Sequence, residues 1–183
     1  MSEKMTSNVA TKHMLECDYL VVGAGAASLA FVDTMLTELP NIGKIILIDK
    51  KEHPGGHWVD AYGFVRLHQP SRFYGIASSC LEDSWIRTKQ FDKQQDHRAN
   101  KHEILAYFRR FVDAQVASGR LEFYPKCVYK FETNDQKISD QKKNDSDLHI
   151  FRSVDGSELY QVKVNCKLID GTKGECIIPH GAC

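Results

Sequence analysis

Gly23, Gly25 and Asp49 are the residues whose types and spacing suit the binding of a phosphate ester. A glycine at position 23 lets the chain turn sharply, because it takes backbone angles that a Cβ forbids. Gly25 places no side chain between the backbone and an approaching pyrophosphate. Ala26, Ala27 and Ser28 open an apolar-periodic segment, so the first turn of a helix would aim unpaired N–H groups and a positive dipole end at that phosphate. Asp49 follows about twenty residues past the turn, where a carboxylate can accept hydrogen bonds from ribose hydroxyls.

The elements that must hold these residues are legible around them. Residues 19–22 are an apolar run that Gly23 and Gly25 close, residues 26–36 carry the helical period, and residues 45–48 are a second apolar run ending in Asp49. Strand, glycine turn, helix, strand and acid in that order are the layout of a dinucleotide-binding βαβ unit. Ser28 stands where the GxGxxG fingerprint has its third glycine. That glycine serves close helix–strand packing, and serine is small enough to replace it. Aspartate is common at the acid position of NAD-binding units, so Asp49 alone leaves the nucleotide open.

The following residues narrow the choice. Asp49 and Lys50 are an acid and a base, four residues intervene, and Gly55-Gly56-His57-Trp58 reads GGxW. This resembles the segment after the second strand in flavin-containing and Baeyer–Villiger monooxygenases and their flavoprotein relatives. The resemblance implies FAD as cofactor, with the acid on the adenosine ribose and the paired glycines bringing backbone close to the cofactor. It differs in having Asp49 where glutamate is usual. It further implies that Arg66, His68 and Gln69, past GGxW, neighbour the flavin ring. Read from the residues alone, Arg66 and His68 are polar groups flanking a short core strand over residues 64–67.

Composition removes other classes. The 183 residues carry 24 basic and 24 acidic side chains with no basic stripe, which speaks against nucleic acid or an anionic membrane as partner. The apolar runs are strand-length, none long enough to span a bilayer. Residues 1–16 lack the apolar core of a secretory signal, and residues 1–17 read as a disordered tail before a domain over 18–183. The six cysteines are scattered without a CxxC pair, so neither a zinc site nor a dithiol centre is expected, and a reducing, cytoplasmic setting is.

Residues 101–118 carry the clearest helix, with Ile104, Phe108, Phe111 and Val112 on one face, Asn100 and Glu103 as a capping box, and Gly119 as the stop. Strands follow at 121–124, 127–132, 148–153 and 159–164, with Asp155-Gly156 marking a hairpin. Residues 79–101 read as a surface excursion in which Trp85 is an anchor, and residues 133–147 as a solvated loop. Residues 167–170 read as a further strand ending in Asp170-Gly171-Thr172, loosely similar to the turn at which the resembled enzymes cross into a nicotinamide-binding domain. By that resemblance Cys127 and Val128 meet adenine through backbone.

The expectation is therefore an α/β fold: a Rossmann-like FAD/NAD(P)-binding βαβ unit with a parallel sheet and a small antiparallel insertion. No second GxGxxG follows, and the monooxygenase fingerprint linking the two domains is absent. The sequence is thus expected to be the FAD-binding portion of a flavin-dependent oxidoreductase, as a fragment or with a second chain supplying the missing half. The complete enzyme would draw electrons from NAD(P)H. No catalytic acid or base is named, because the flavin does the chemistry. A stand-alone NAD(P)-binding module and a relic that binds nothing are the other two readings.

Overall fold

The computed structural model describes residues 10–81, 97–130 and 148–172. Six strands form one sheet in the order β3-β2-β1-β6-β5-β4. They are β1 (Thr11–Val22), β2 (Ile45–Ile48), β3 (Leu121–Tyr124), β4 (Cys127–Tyr129), β5 (Leu148–Ser153) and β6 (Glu158–Asp170). The pairs β3–β2, β2–β1 and β1–β6 are parallel, and β6–β5 and β5–β4 antiparallel. This is the expected α/β class, a parallel sheet with a small antiparallel meander.

Two helices link the parallel strands. Helix α1 (Ala26–Glu38) joins β1 to β2, and α2 (Lys101–Ala117) leads into β3. Both bury their apolar faces in one cluster: Leu29, Val32 and Leu36 from α1, Ile104, Phe108, Phe111 and Val112 from α2, with Val21, Ile45 and Leu47 from the sheet. Leu20, Val22, Ile46 and Ile48 point to the opposite face and pack with Cys127, Phe151, Tyr160 and Val162 of the meander. The strand Ile-Ile-Leu-Ile is thus covered on both sides and wholly buried, as a central parallel strand requires. Each of its side chains contributes roughly 1.5–3 kcal/mol of burial. The capping box of α2 forms as expected: Glu103 N–H donates to Asn100 Oδ1 and Asn100 N–H to Glu103 Oε2.

Three expectations are corrected. Thr11–Cys17 is the first half of β1, not a tail, and pairs with Glu158–Val164 of β6. Its pattern is concealed because register shifts between Cys17 and Tyr19, so Leu15 and Cys17 reach the same cluster as Leu20 and Val22 although the parity changes. Second, residues 159–164 and 167–170 are one strand, β6, whose lower half pairs antiparallel with β5 while its whole length runs beside β1. Third, residues 64–67 form no strand; Arg66 makes only a single bridge with Asn100. Trp85 and the loop over 133–147 lie outside the described residues.

Candidate dinucleotide cleft

The sheet ends where β1, β2 and β6 deliver their C-termini beside the N-terminus of α1, the place where open α/β sheets bind ligands. Gly23 leaves β1 with φ +93°, and its N–H donates to Ile48 O at 2.8 Å. Gly25 is the N-cap of α1 and gives no side-chain cap. The first-turn N–H groups therefore have no intrahelical partner and remain for an anion or solvent.

The second glycine turn is built against the first. Gly55 (φ +134°) donates its N–H to Ala24 O at 2.8 Å, and Gly56 (φ +56°) faces Gly25 so closely that a Cβ on Gly56 would lie 2.9 Å from Gly25 Cα. Backbone meets backbone with no room for a methyl group. The spacing from Asp49 to GGxW has this consequence: after β2 the chain returns and lays Gly55-Gly56 on the turn that follows β1.

Asp49 ties the two turns to β2. It is buried; Ala24 N–H donates to Oδ2 at 2.6 Å and Lys51 N–H to Oδ1 at 2.7 Å. Each carboxylate oxygen retains a lone pair for a further donor. Ser28 is buried in the position of the missing third glycine, and its Oγ has no hydrogen-bond partner among the described residues. It packs against Gly171, where any Cβ would overlap Ser28 Oγ. The close helix–strand approach is thus preserved by moving the glycine from α1 to the end of β6. Asp170 is buried beside it; Oδ1 accepts from Thr172 N–H at 2.9 Å and from Thr172 Oγ at 2.5 Å.

The two glycine turns and Asp49 border a cleft of about 760 Å³, within the size range of cofactor sites. Of the expected binding residues, Gly23, Gly25, Ala26, Ala27, Asp49, Lys50, Gly56, His57 and Val128 line it. Ser28 and Gly55 lie behind that lining, in the packing just described. Trp58 is buried in the core, its indole N–H donating to Tyr74 Oη at 2.7 Å. Arg66, His68 and Gln69 are exposed on another segment; Arg66 donates to Arg98 O and Gln69 to Phe73 O. Cys127 is a cleft wall as well; burial pushes its thiol up to about 11, so it stays protonated at neutral pH.

The sequence reading missed Lys51, Asp60, Tyr129 and Thr172, which also line the cleft. Lys51 Nζ donates to Gly56 O at 2.7 Å and pairs with Asp60 Oδ2 at 2.5 Å. That hydrogen bond from Lys51 is the main cause holding the Asp60 carboxyl below its usual range. Lys51 was readable as a charge four residues before GGxW; its partners were not. Among the described residues no group of three His, Cys, Asp or Glu is placed to hold a metal, and no helix is long and apolar enough to cross a membrane.

The chain is similar to uncharacterized proteins of Mycobacterium tuberculosis (strain H37Rv) and Mycobacterium bovis, each 36% identical over 166 residues. These matches cover 90% of this chain and 27% of theirs, so the chain spans about a quarter of the length of the curated relatives it matches. No family model matches the sequence. Among solved structures it resembles cyclohexanone monooxygenase from Rhodococcus sp. Phi1 bound to NADP+, with TM-score 0.52, 18% identity, and 93% of this chain covering 28% of that one. An oxidized steroid monooxygenase bound to NADP gives TM-score 0.51 at 18% identity, covering 85% of this chain and 26% of that one. A bacillithiol disulfide reductase from Staphylococcus aureus gives 0.55 at 11%, covering 86% and 39%. The fold of this chain is the FAD/NAD(P)-binding Rossmann-like fold that these oxidoreductases contain.

Proposed function

We propose that this chain is the FAD-binding portion of a flavin-dependent, monooxygenase-like oxidoreductase. The observation that carries the reading is the backbone contact between the two glycine turns. Gly25 and Gly56 meet backbone to backbone beside the N-terminus of α1, where a Cβ on Gly56 would collide with Gly25 Cα, and both glycines line the cleft. The residues present fit FAD. The first turn of α1 and the glycine backbone hold the pyrophosphate, Asp49 accepts from the adenosine ribose, and Val128 and its neighbours on β4 meet adenine. FAD would supply the redox chemistry, accepting electrons from NAD(P)H and passing them to substrate or oxygen.

The chain's own part is to bind and orient. Helix α1 contributes a fixed positive end that offsets the pyrophosphate charge. Gly23, Gly25 and Gly56 permit the approach, and Asp49 keeps the first turn in place through Ala24 N–H. The nicotinamide site belongs, in this reading, to a second unit, borne on a longer protein or on a partner chain. Arg66, His68 and Gln69 lie outside the cleft lining, and their place beside the flavin ring rests on the resemblance alone.

Parallel calorimetric titrations with FAD, NADH and NADPH test the reading. It predicts saturable binding of FAD at one site per chain, weaker binding of both nicotinamides, and loss of FAD binding in Gly25→Val. Tighter binding of a nicotinamide than of FAD would establish instead the NAD(P) module, which the aspartate at position 49 leaves open. Unchanged FAD affinity in Gly25→Val would remove the ligand from this turn.

A further inference from the structure

Lys51 stands out among the residues that the binding reading does not use. It is the cleft's half-buried ammonium, with 17% of its side chain exposed, and it lies on neither glycine turn. Its position is fixed at both ends. The backbone N–H is held by Asp49 Oδ1 at 2.7 Å, and Nζ is held by Gly56 O at 2.7 Å and by the Asp60 carboxylate. Asp60 itself is largely exposed, so it anchors the ammonium from the rim of the cleft.

Gly55 and Gly56 both take left-handed backbone angles. Glycine reaches these at no steric cost, but it also has the most freedom to leave them. A diglycine turn therefore needs external restraints to keep one shape. Besides the turn's own Trp58 N–H on Gly55 O at 3.1 Å, two hydrogen bonds hold it to other segments: Gly55 N–H on Ala24 O, and Lys51 Nζ on Gly56 O. The first ties the turn to the glycine loop after β1, the second to the chain just after β2.

We propose that Lys51, anchored by Asp60, is a positioning residue that holds the Gly55-Gly56 turn at the spacing a pyrophosphate requires. The proposal rests on the reading of the cleft as a dinucleotide site. A side chain acting only through its charge would behave differently. Releasing Lys51 from Asp60 would then raise the local positive charge and strengthen anion binding, whereas a positioning residue that loses its anchor weakens it.

The test uses Lys51→Met and Asp60→Asn with ADP, adenosine and FAD as probes, alongside amide hydrogen exchange of the ligand-free protein. In the ligand-free Lys51→Met variant, Gly55 N–H should exchange at least tenfold faster, with the amides of Ile46 and Phe108 unchanged. ADP and FAD should bind at least tenfold more weakly to Lys51→Met while adenosine stays within twofold, and Asp60→Asn should weaken ADP about threefold. Unchanged Gly55 exchange in Lys51→Met, or tighter ADP binding by Asp60→Asn, would overturn the positioning role. If wild-type protein binds neither FAD nor ADP, the flavin reading falls, and the exchange measurement still decides whether Lys51 holds the turn.

Discussion

Asp49 joins three pieces of chain through one carboxylate. Its oxygens receive Ala24 N–H from the first glycine turn and Lys51 N–H from the segment that leads to the second. Removing the carboxylate in Asp49→Ala strands a buried donor at Ala24, a loss of about 1.5–3 kcal/mol for hydrogen bonds to a charged group. We expect that cost in denaturant unfolding of the ligand-free protein, and a similar weakening of FAD binding in titrations. A change of less than a few-fold in affinity would take the ribose role from Asp49. At this scale the sequence shows residues whose work is local. Gly23, Gly25 and Asp49 are readable because a strand, a turn and a helix N-terminus are defined by neighbours in the chain. Lys51 and Gly171 are not, since Lys51 depends on the fold-back of Gly56, and Gly171 on Ser28 more than a hundred residues earlier.

The elements divide in the same way. The capping box of α2 and the Asp155-Gly156 hairpin are four-residue patterns, and both form as the sequence indicates. The first half of β1 is different: it is held by β6, some 147 residues away, and the shifted register at Cys17 and Tyr19 breaks the alternation that marks a strand. Long-range pairing of this kind leaves no local signature. The hairpin carries its own pH dependence. Asp155 accepts from Ser153 Oγ, Ser157 N–H and Ser157 Oγ, and these bonds lower its carboxyl from 3.8 to about 2. A lowered folded pKa contributes stability above the unfolded value, so the contribution is complete above pH about 4 and lost as pH falls through about 2. Carboxyl NMR titration should place Asp155 near 2, with Ser157 amide exchange rising over that window. Titration at 3.8 would mean that the turn bonds do not form.

Seen as a whole, the sheet is covered on one face by α1 and α2 and on the other by the β4–β5 meander. Its strand ends open into a nucleotide-sized cleft beside α1. In the proposed reading the chain binds and orients the cofactor, and the cofactor supplies the redox chemistry. The central claim is that the cradle of Gly25 and Gly56 holds FAD. The most direct measurement is the absorption spectrum of the purified protein after incubation with FAD and removal of the excess, beside that of Gly25→Val. The account predicts flavin bands retained near one equivalent per chain and absent from the variant. A colourless wild-type protein that ignores added FAD would contradict it.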